Sequence, residues 1–179
     1  MTTCTATPCQ TENLQQQVEK MLAEKKMVML DTIARQCAVS ELRAAEALPS
    51  TMRAFATGAD FDAVWDGLTQ WPGATFIMRH GRSVVEIKGR IPSGKHGGGY
   101  FNLAPGQSLG GHICSEEAAH ICFLSLPFMG LESHSVQFFD TAGAVLFSVY
   151  VGRENKKLMP EAREGFFALR EAFGKENIQ

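Results

Sequence analysis

The stretch ATFIMRHGRSVVEIKGRI, residues 74–91, decides the fold of this chain. In its first half Phe76, Met78 and His80 fall on one side of an extended chain, because side chains alternate along a strand. Gly81-Arg82 then separates two strand-like runs, which is typical of a tight hairpin. The stretch therefore predicts an antiparallel pair of strands on either side of this turn.

Downstream of the hairpin the chain continues as short apolar runs separated by turn residues. No long helical pattern lies between these runs, so an antiparallel meander is favoured over parallel βαβ units. The sequence Asp140-Thr141-Ala142-Gly143 is a good turn between the last two runs. The predicted strands are 74–80, 83–91, 99–103, 109–114, 120–128, 132–140 and 144–151.

Helical patterns flank the strand region on both sides. From residue 12 to about residue 48, apolar residues recur at helical spacing, and Ser40 has the position of an N-cap. A further helix is predicted over 60–70. Pro160 suits the first turn of a C-terminal helix that ends at Phe173. The expected fold class is α+β: an antiparallel β-sheet of about seven strands with N-terminal helices and a C-terminal helix.

These elements predict one domain. Residues 1–11 have the composition of a disordered tail. Residues 12–179 are expected to form a single domain. Its parts are a helical part (12–71), an antiparallel sheet (74–152) and the C-terminal helix (160–173).

Composition limits the classes of function. The chain has 17 Lys and Arg against 19 Asp and Glu, and its net charge of -2 gives no electrostatic footprint for nucleic acid or an anionic membrane. The 5 cysteines are odd in number and lack CxxC spacing, which argues against a disulfide framework or a cysteine-based zinc site. No secretory signal or membrane-length apolar run is visible, so we expect a cytoplasmic protein without a membrane partner.

All 5 histidines lie between His80 and His134, a concentration that deserves weighing for metal or acid–base chemistry. No HExxH or GxSxG motif accompanies them, so neither a zinc protease nor a serine hydrolase is predicted. His80 ends the apolar stripe of its strand. His112 follows Gly110-Gly111, which indicates either close approach by a ligand or a bulge with an incidental histidine.

Four motifs carry a resemblance to a known family. They are IPSGKHGGGYFNL (91–103), LGGHI (109–113), HICFLSLPFMGLESHSVQFF (120–139) and VYVGRENKKL (149–158). With them the chain closely resembles the cytosolic haem-utilisation carrier family of the HutX/ChuX type, over roughly residues 14–175. The tandem of the first two motifs is much more specific than any single histidine.

The resemblance implies a homodimeric α+β protein that binds haem b as cargo and passes it to a haem-degrading partner, without being an enzyme itself. It also implies that His80 and His112 hold the haem iron, with Tyr100 as an alternative ligand. Haem further needs an apolar slot and cations for its propionates. The candidate pocket residues are Met78, Phe101, Phe128 and Met129, and the candidate propionate contacts are Arg79, Arg90 and Lys95.

Two other functions stay open at this point. Residues 30–43 resemble a helix-turn-helix, but the second helix would carry Glu41 and Glu46 with only Arg43, a poor fit to a phosphate backbone. A haem-degrading enzyme would need an electron source, and no nucleotide-binding fingerprint is present. Two protein ligands on the iron would also hinder oxygen binding.

Overall fold

The computed structural model of the protein describes residues 13–24 and 28–178, and the predicted tail of residues 1–11 lies outside them. The helices are α1 (Leu14–Glu24), α2 (Leu30–Cys37), α3 (Glu41–Glu46), α4 (Phe61–Thr69) and α5 (Pro160–Phe173). The strands are β1 (Arg53–Thr57), β2 (Ala74–His80), β3 (Ser83–Gly89), β4 (Gly94–Gly97), β5 (Tyr100–Leu103), β6 (His112–Ile113), β7 (His120–Leu124), β8 (Ser135–Phe139), β9 (Val145–Val151), β10 (Arg153–Glu154) and β11 (Lys157–Leu158). The predicted α+β class is confirmed.

A large antiparallel sheet organises the described residues. Its six strands follow the order β1-β7-β8-β9-β2-β3. The β2–β3 hairpin turns at Gly81-Arg82 as predicted, since His80 pairs with Ser83 and Gly81 has a φ of 57°. The predicted turn at 140–143 is also confirmed, because the Ala144 N–H donates to the Asp140 side chain at 2.9 Å. Local turn chemistry thus fixes both hairpins.

Strand β1 lies inside the segment that the sequence analysis assigned to a helical part, so that assignment is wrong for Arg53–Thr57. Its first four residues are buried, with Phe55 on one side of the sheet and Ala54 and Ala56 on the other. A strand buried on both faces shows no alternation of apolar and polar side chains. The period-two signal that identified the other strands is therefore missing here.

Two of the seven predicted strands lie outside the large sheet. The segments around 99–103 and 109–114 contribute β5 and β6 to a separate three-stranded sheet with order β4-β5-β6. This small sheet packs its Phe101 ring edge-on against Phe61 and Trp65 of α4. The Trp65 indole N–H also donates to the Pro92 carbonyl at 2.9 Å. The small sheet is separate from the large one because it packs on α4. Sequence periodicity gives no information about that contact.

Helices cover the large sheet unequally. Helices α4 and α5 and the small sheet bury one face, through side chains such as Trp65, Phe138 and Phe166. Helices α1 to α3 bury part of the other face, around Phe55 and Phe139. Beyond those helices, a groove of about 610 Å³ runs along β9, β2 and β3 on this second face. The large sheet therefore contributes side chains to two hydrophobic cores, one on each of its faces.

Helix α3 has the packing of a structural helix. The Ser40 side chain caps it by accepting the Arg43 N–H at 3.2 Å, as predicted. Leu42, Ala44 and Ala45 are buried against the second face of the sheet. A helix of six residues with half of them buried offers little surface for the DNA major groove, so the helix-turn-helix interpretation finds no support here.

Candidate functional site

The exposed face of the small sheet gathers side chains from all three of its strands. Along β5, Phe101 and Leu103 pack into the core, so Tyr100 and Asn102 point the other way. Asn102 pairs across the sheet with Lys95 on one side and with His112 on the other. We call the surface formed by Lys95, Tyr100, Asn102 and His112 the outer face.

The geometry of the outer face centres on His112. Its Nδ1 lies 2.6 Å from Asn102 Oδ1, and its ring centroid is 5.9 Å from that of Tyr100. Its Nε2 has no hydrogen-bond partner among residues 13–24 and 28–178. Both His112 and Tyr100 are exposed. An imidazole nitrogen and a phenol are both donors that haem iron accepts, and an ammonium suits a carboxylate, so this donor set fits haem.

His80 and Met78 lie elsewhere in the described structure. They occupy the tip of the β2–β3 hairpin, on the side of the large sheet that also carries Phe76. Both are exposed, Met78 to 45%. Neither makes a hydrogen bond or ring contact with His112 in the part of the chain that the structure describes. Of the predicted residues, His112, Tyr100 and Lys95 share the outer face, whereas His80 belongs to the β2–β3 hairpin of the large sheet.

Two of the predicted haem contacts, Arg79 and Phe101, lie away from the outer face. Arg79 points to the opposite face from His80, where its guanidinium pairs with Asp31 at 3.3 Å and with Glu41. Consecutive strand residues face opposite ways, so the side chains of Arg79 and His80 leave opposite faces of the large sheet. Phe101 is only 4% exposed and belongs to the core. Arg79 as a propionate contact and Phe101 as a haem-pocket residue stay predictions, and neither side chain belongs to the outer face.

Phe128 and Met129 lie on a loop beside the groove rather than beside the outer face. Phe128 and Leu131 exchange backbone hydrogen bonds of 2.9 Å, and Met129 and Gly130 between them both have positive φ, as in a tight turn. Met129 is 68% exposed. Arg90, at the end of β3, is exposed as well. These side chains are accessible, and none of them has a hydrogen bond or ring contact with His112 within residues 13–24 and 28–178.

The other titratable groups have structural surroundings. His96 lies 2.8 Å from an oxygen of Asp62, in the first turn of α4. His134 is buried, and desolvation lowers its pKa. Burial raises the pKa of the Cys122 thiol to about 12, so it is no thiolate ligand at neutral pH. No group of three His, Cys, Asp or Glu able to hold a bare metal ion occurs within the described ranges.

Comparison with known proteins identifies the family. The sequence model of the haem utilisation ChuX/HutX family matches residues 54–169. The chain belongs to this family. It is 36% identical over 162 residues to the intracellular heme transport protein HutX of Vibrio cholerae, covering 89% of this chain and 84% of HutX. As a ChuX/HutX protein it also resembles the solved structure of the heme-binding protein ChuX, with 30% identity, a TM-score of 0.78, and coverage of 87% of this chain and 97% of ChuX.

A more distant likeness concerns the fold alone. The heme-degrading enzyme ChuS of Escherichia coli O157:H7 aligns with a TM-score of 0.71 and 14% identity, over 86% of this ChuX/HutX chain and 47% of ChuS. No helix among the residues that the structure describes is long and apolar enough to cross a membrane.

Asn102 is the residue of the outer face that the sequence analysis missed. The signal was present, because Asn102 stands two residues after Tyr100 and therefore shares its side of a strand. What the sequence could not supply is the cross-strand partner. The pairing of Asn102 with His112 depends on the loop between β5 and β6, whose length does not fix the register.

Proposed function

We propose that this ChuX/HutX protein binds haem b as cargo, carries it in the cytoplasm and releases it intact to a haem-degrading protein. The observation that carries the proposal is the outer face, where His112, Tyr100 and Lys95 stand together and exposed. The names of the relatives HutX and ChuX, a heme transport protein and a heme-binding protein, support the same cargo. Residues 12–179 are proposed to act as one haem-carrier domain.

The chemistry of the outer face suits a carrier. His112 is the proposed iron ligand, with Tyr100 as the alternative, and Lys95 is placed to meet a propionate. A carrier must release its cargo, and an exposed site opposes release less than an enclosed pocket. We keep His80 as the proposed second ligand and Arg90 as a second propionate contact. Met78, Phe128 and Met129 remain proposed apolar contacts, each on an accessible part of the surface.

A haemin titration followed by absorption spectroscopy tests the proposal. The wild-type protein should give a saturable shift of the Soret band. His112→Ala should lose most of this shift because it removes the iron ligand, and Tyr100→Phe shows whether the phenol contributes. His96→Ala is the matched control, since His96 lies on the same small sheet but faces Asp62. A flat wild-type titration would refute haem binding, and an unchanged spectrum in both His112→Ala and His80→Ala would refute the ligands.

The absence of enzymatic activity is a separate part of the proposal. We expect the haem-loaded protein, supplied with ascorbate as electron donor, to keep its haem intact and to pass it to an apo-acceptor. The transport name of HutX supports this expectation. Formation of biliverdin-like products with release of iron would contradict it and establish the haem-degrading alternative instead.

We also propose that the protein is a homodimer. Strand β3 is an edge strand of the large sheet, and it carries Val84 and Val85 with 56% and 54% of their surfaces exposed. Apolar side chains and unpaired backbone groups on an edge strand favour association with a further protein surface. A second copy of the same chain is the partner that we propose.

A further inference from the structure

We infer that Asn102 is a positioning residue that fixes His112 in the tautomer able to bind iron through Nε2. The inference rests on the proposed function for its purpose, while its geometry is independent of haem. Three facts carry it: the surroundings of the Asn102 amide nitrogen, the contact of its amide oxygen with His112, and the accessibility of the remaining ring nitrogen.

The Asn102 side chain can have only one amide orientation. Its Nδ2 donates to the backbone carbonyls of Gly97 at 2.8 Å and of Lys95 and Tyr100 at 3.2 Å each. A flipped amide would place Oδ1 against three other carbonyl oxygens, none of which can donate a hydrogen bond. The hairpin between β4 and β5 therefore holds the nitrogen inward and presents the oxygen to β6.

The orientation of the Asn102 amide determines which ring nitrogen of His112 carries the proton. Asn102 Oδ1 accepts hydrogen bonds only, and it lies 2.6 Å from His112 Nδ1. The favourable arrangement has the proton on Nδ1, donated to this oxygen. In a neutral imidazole the second nitrogen then carries the lone pair. Nε2 of His112 is thus prepared as a ligand before any haem arrives.

This arrangement has the form of an outer-shell contact at a metal site. A metal-binding histidine commonly donates its other ring N–H to an oxygen acceptor, which sets the tautomer and the ring orientation, and losing such a partner typically costs 10-fold to 100-fold in metal affinity. In this chain the acceptor is a neutral amide on the neighbouring strand. A neutral acceptor leaves the imidazole neutral in the bound state, so no additional negative charge is placed on the iron ligand.

The test is a long-range ¹H–¹⁵N correlation spectrum of the haem-free protein labelled at histidine nitrogen, recorded well above the ordinary pKa of imidazole, about 6.5. His112→Gln assigns the His112 signals by their loss. We expect Nδ1 of His112 to be protonated in the wild-type protein and the Nε2-protonated form to appear in Asn102→Ala. An Nε2-protonated His112 in the wild type, or an unchanged tautomer in Asn102→Ala, would overturn the inference.

Haem affinity is the second readout. Asn102→Ala should weaken haem binding by about 10-fold to 100-fold while His112 is still present. If Asn102→Ala fails to fold, the wild-type tautomer alone decides the inference. The two proposals fail separately, because a flat wild-type haemin titration would refute the proposed function whereas the tautomer is read without haem.

Discussion

At the scale of single residues, His112 and His134 differ in how many of their ring nitrogens have a hydrogen-bond partner in the described structure. His112 is exposed with one ring nitrogen accessible, whereas both ring nitrogens of His134 are occupied. His134 Nδ1 lies 2.9 Å from Ser125 Oγ, and its Nε2 lies 2.8 Å from a Glu132 oxygen. Its ring stacks on Phe166 with centroids 4.8 Å apart. Such a histidine stabilises the fold in its neutral form and is not presented to a ligand.

This difference predicts a pH dependence of stability. Desolvation lowers the pKa of His134 below its ordinary value, despite the hydrogen bond to Glu132. The unfolded chain therefore binds a proton at pH values where the folded chain does not, so the free energy of unfolding should fall as pH drops below about 6.5, by at most about 1.4 kcal/mol per unit. Urea denaturation between about pH 5 and pH 7.5 measures this slope.

The matched pair for that measurement is His134→Gln against His96→Gln. His134→Gln should reduce the acid slope, while His96→Gln should retain it because His96 is exposed. Glu132, whose pKa is lowered mainly by its hydrogen bond to His134, loses its stabilising contribution only as pH falls below about 4.5, outside this range. Equal slopes in the two variants would contradict the assignment of the effect to His134.

The two glycines before His112, which drew attention to it in the sequence, lie in an open part of the described structure. Gly110-Gly111 leaves the backbone before it uncovered, and His112 is indeed exposed. Arg79 and Phe101 were predicted by chemical type alone, and neither side chain lies on the outer face. Alternation along their strands already assigned each of them to the side away from its neighbour. The partners that each side chain meets, Asp31 and Glu41 for Arg79 and helix α4 for Phe101, are tertiary contacts that the strand pattern does not give.

At the scale of elements, the β4–β5 hairpin depends on a glycine. A Cβ atom at Gly94 would overlap the ring of Phe101. That ring is confined by Phe61 and Trp65, with centroids 5.3 and 5.6 Å away, so it has little room to move aside. Overfilling a packed site typically costs about 1–3 kcal/mol. The small sheet can therefore pack against the core only when residue 94 has no side chain.

We predict that Gly94→Ala lowers the free energy of unfolding by about 1–3 kcal/mol, because the added methyl group overfills the packed site. The variant should also weaken haem binding, because Lys95 and the carbonyls that hold Asn102 shift with the β4–β5 hairpin. Gly110→Ala is the control. A Cβ at residue 110 meets no heavy atom of the described residues within 4 Å, and the φ of Gly110 is not positive. The free energy of unfolding of Gly110→Ala should therefore stay within about 0.5 kcal/mol of wild type. Chemical denaturation and haemin titration measure both effects. Equal stability of the two variants would refute the packing argument.

Elements with local signals were predictable, and elements defined by distant partners were not. Helix α5 begins at Pro160 and ends at Phe173 as expected, since its apolar stripe and first-turn proline are both local. Strand β1 was missed because elements distant in sequence bury both of its faces, which removes the alternation of apolar and polar side chains. The division into two sheets was missed for a similar reason, since it depends on the contact of Phe101 with α4.

At the scale of the whole molecule, one sheet carries different surfaces on its two faces. One face is buried by α4, α5 and the small sheet, which presents the outer face to solvent. The other face is covered only in part, and the groove beside β3 remains. Phe128, Met129 and Leu131 rim this groove with 41%, 68% and 43% of their surfaces exposed. His112, Tyr100 and Lys95 on the outer face are therefore on a different part of the chain from Val84, which lines the groove at the edge strand β3.

The exposed edge strand β3 predicts where two copies of the chain associate. Val84 lies on edge strand β3 and faces the groove, so a charge there should oppose burial against a second copy. We expect light scattering to give twice the 19.6 kDa chain mass for the wild type and a shift toward monomer on dilution for Val84→Lys. Ala142→Lys, in the exposed turn between β8 and β9, should stay dimeric. A wild-type protein that is monomeric throughout, or a Val84→Lys variant as dimeric as the control, would show that this edge is not the interface.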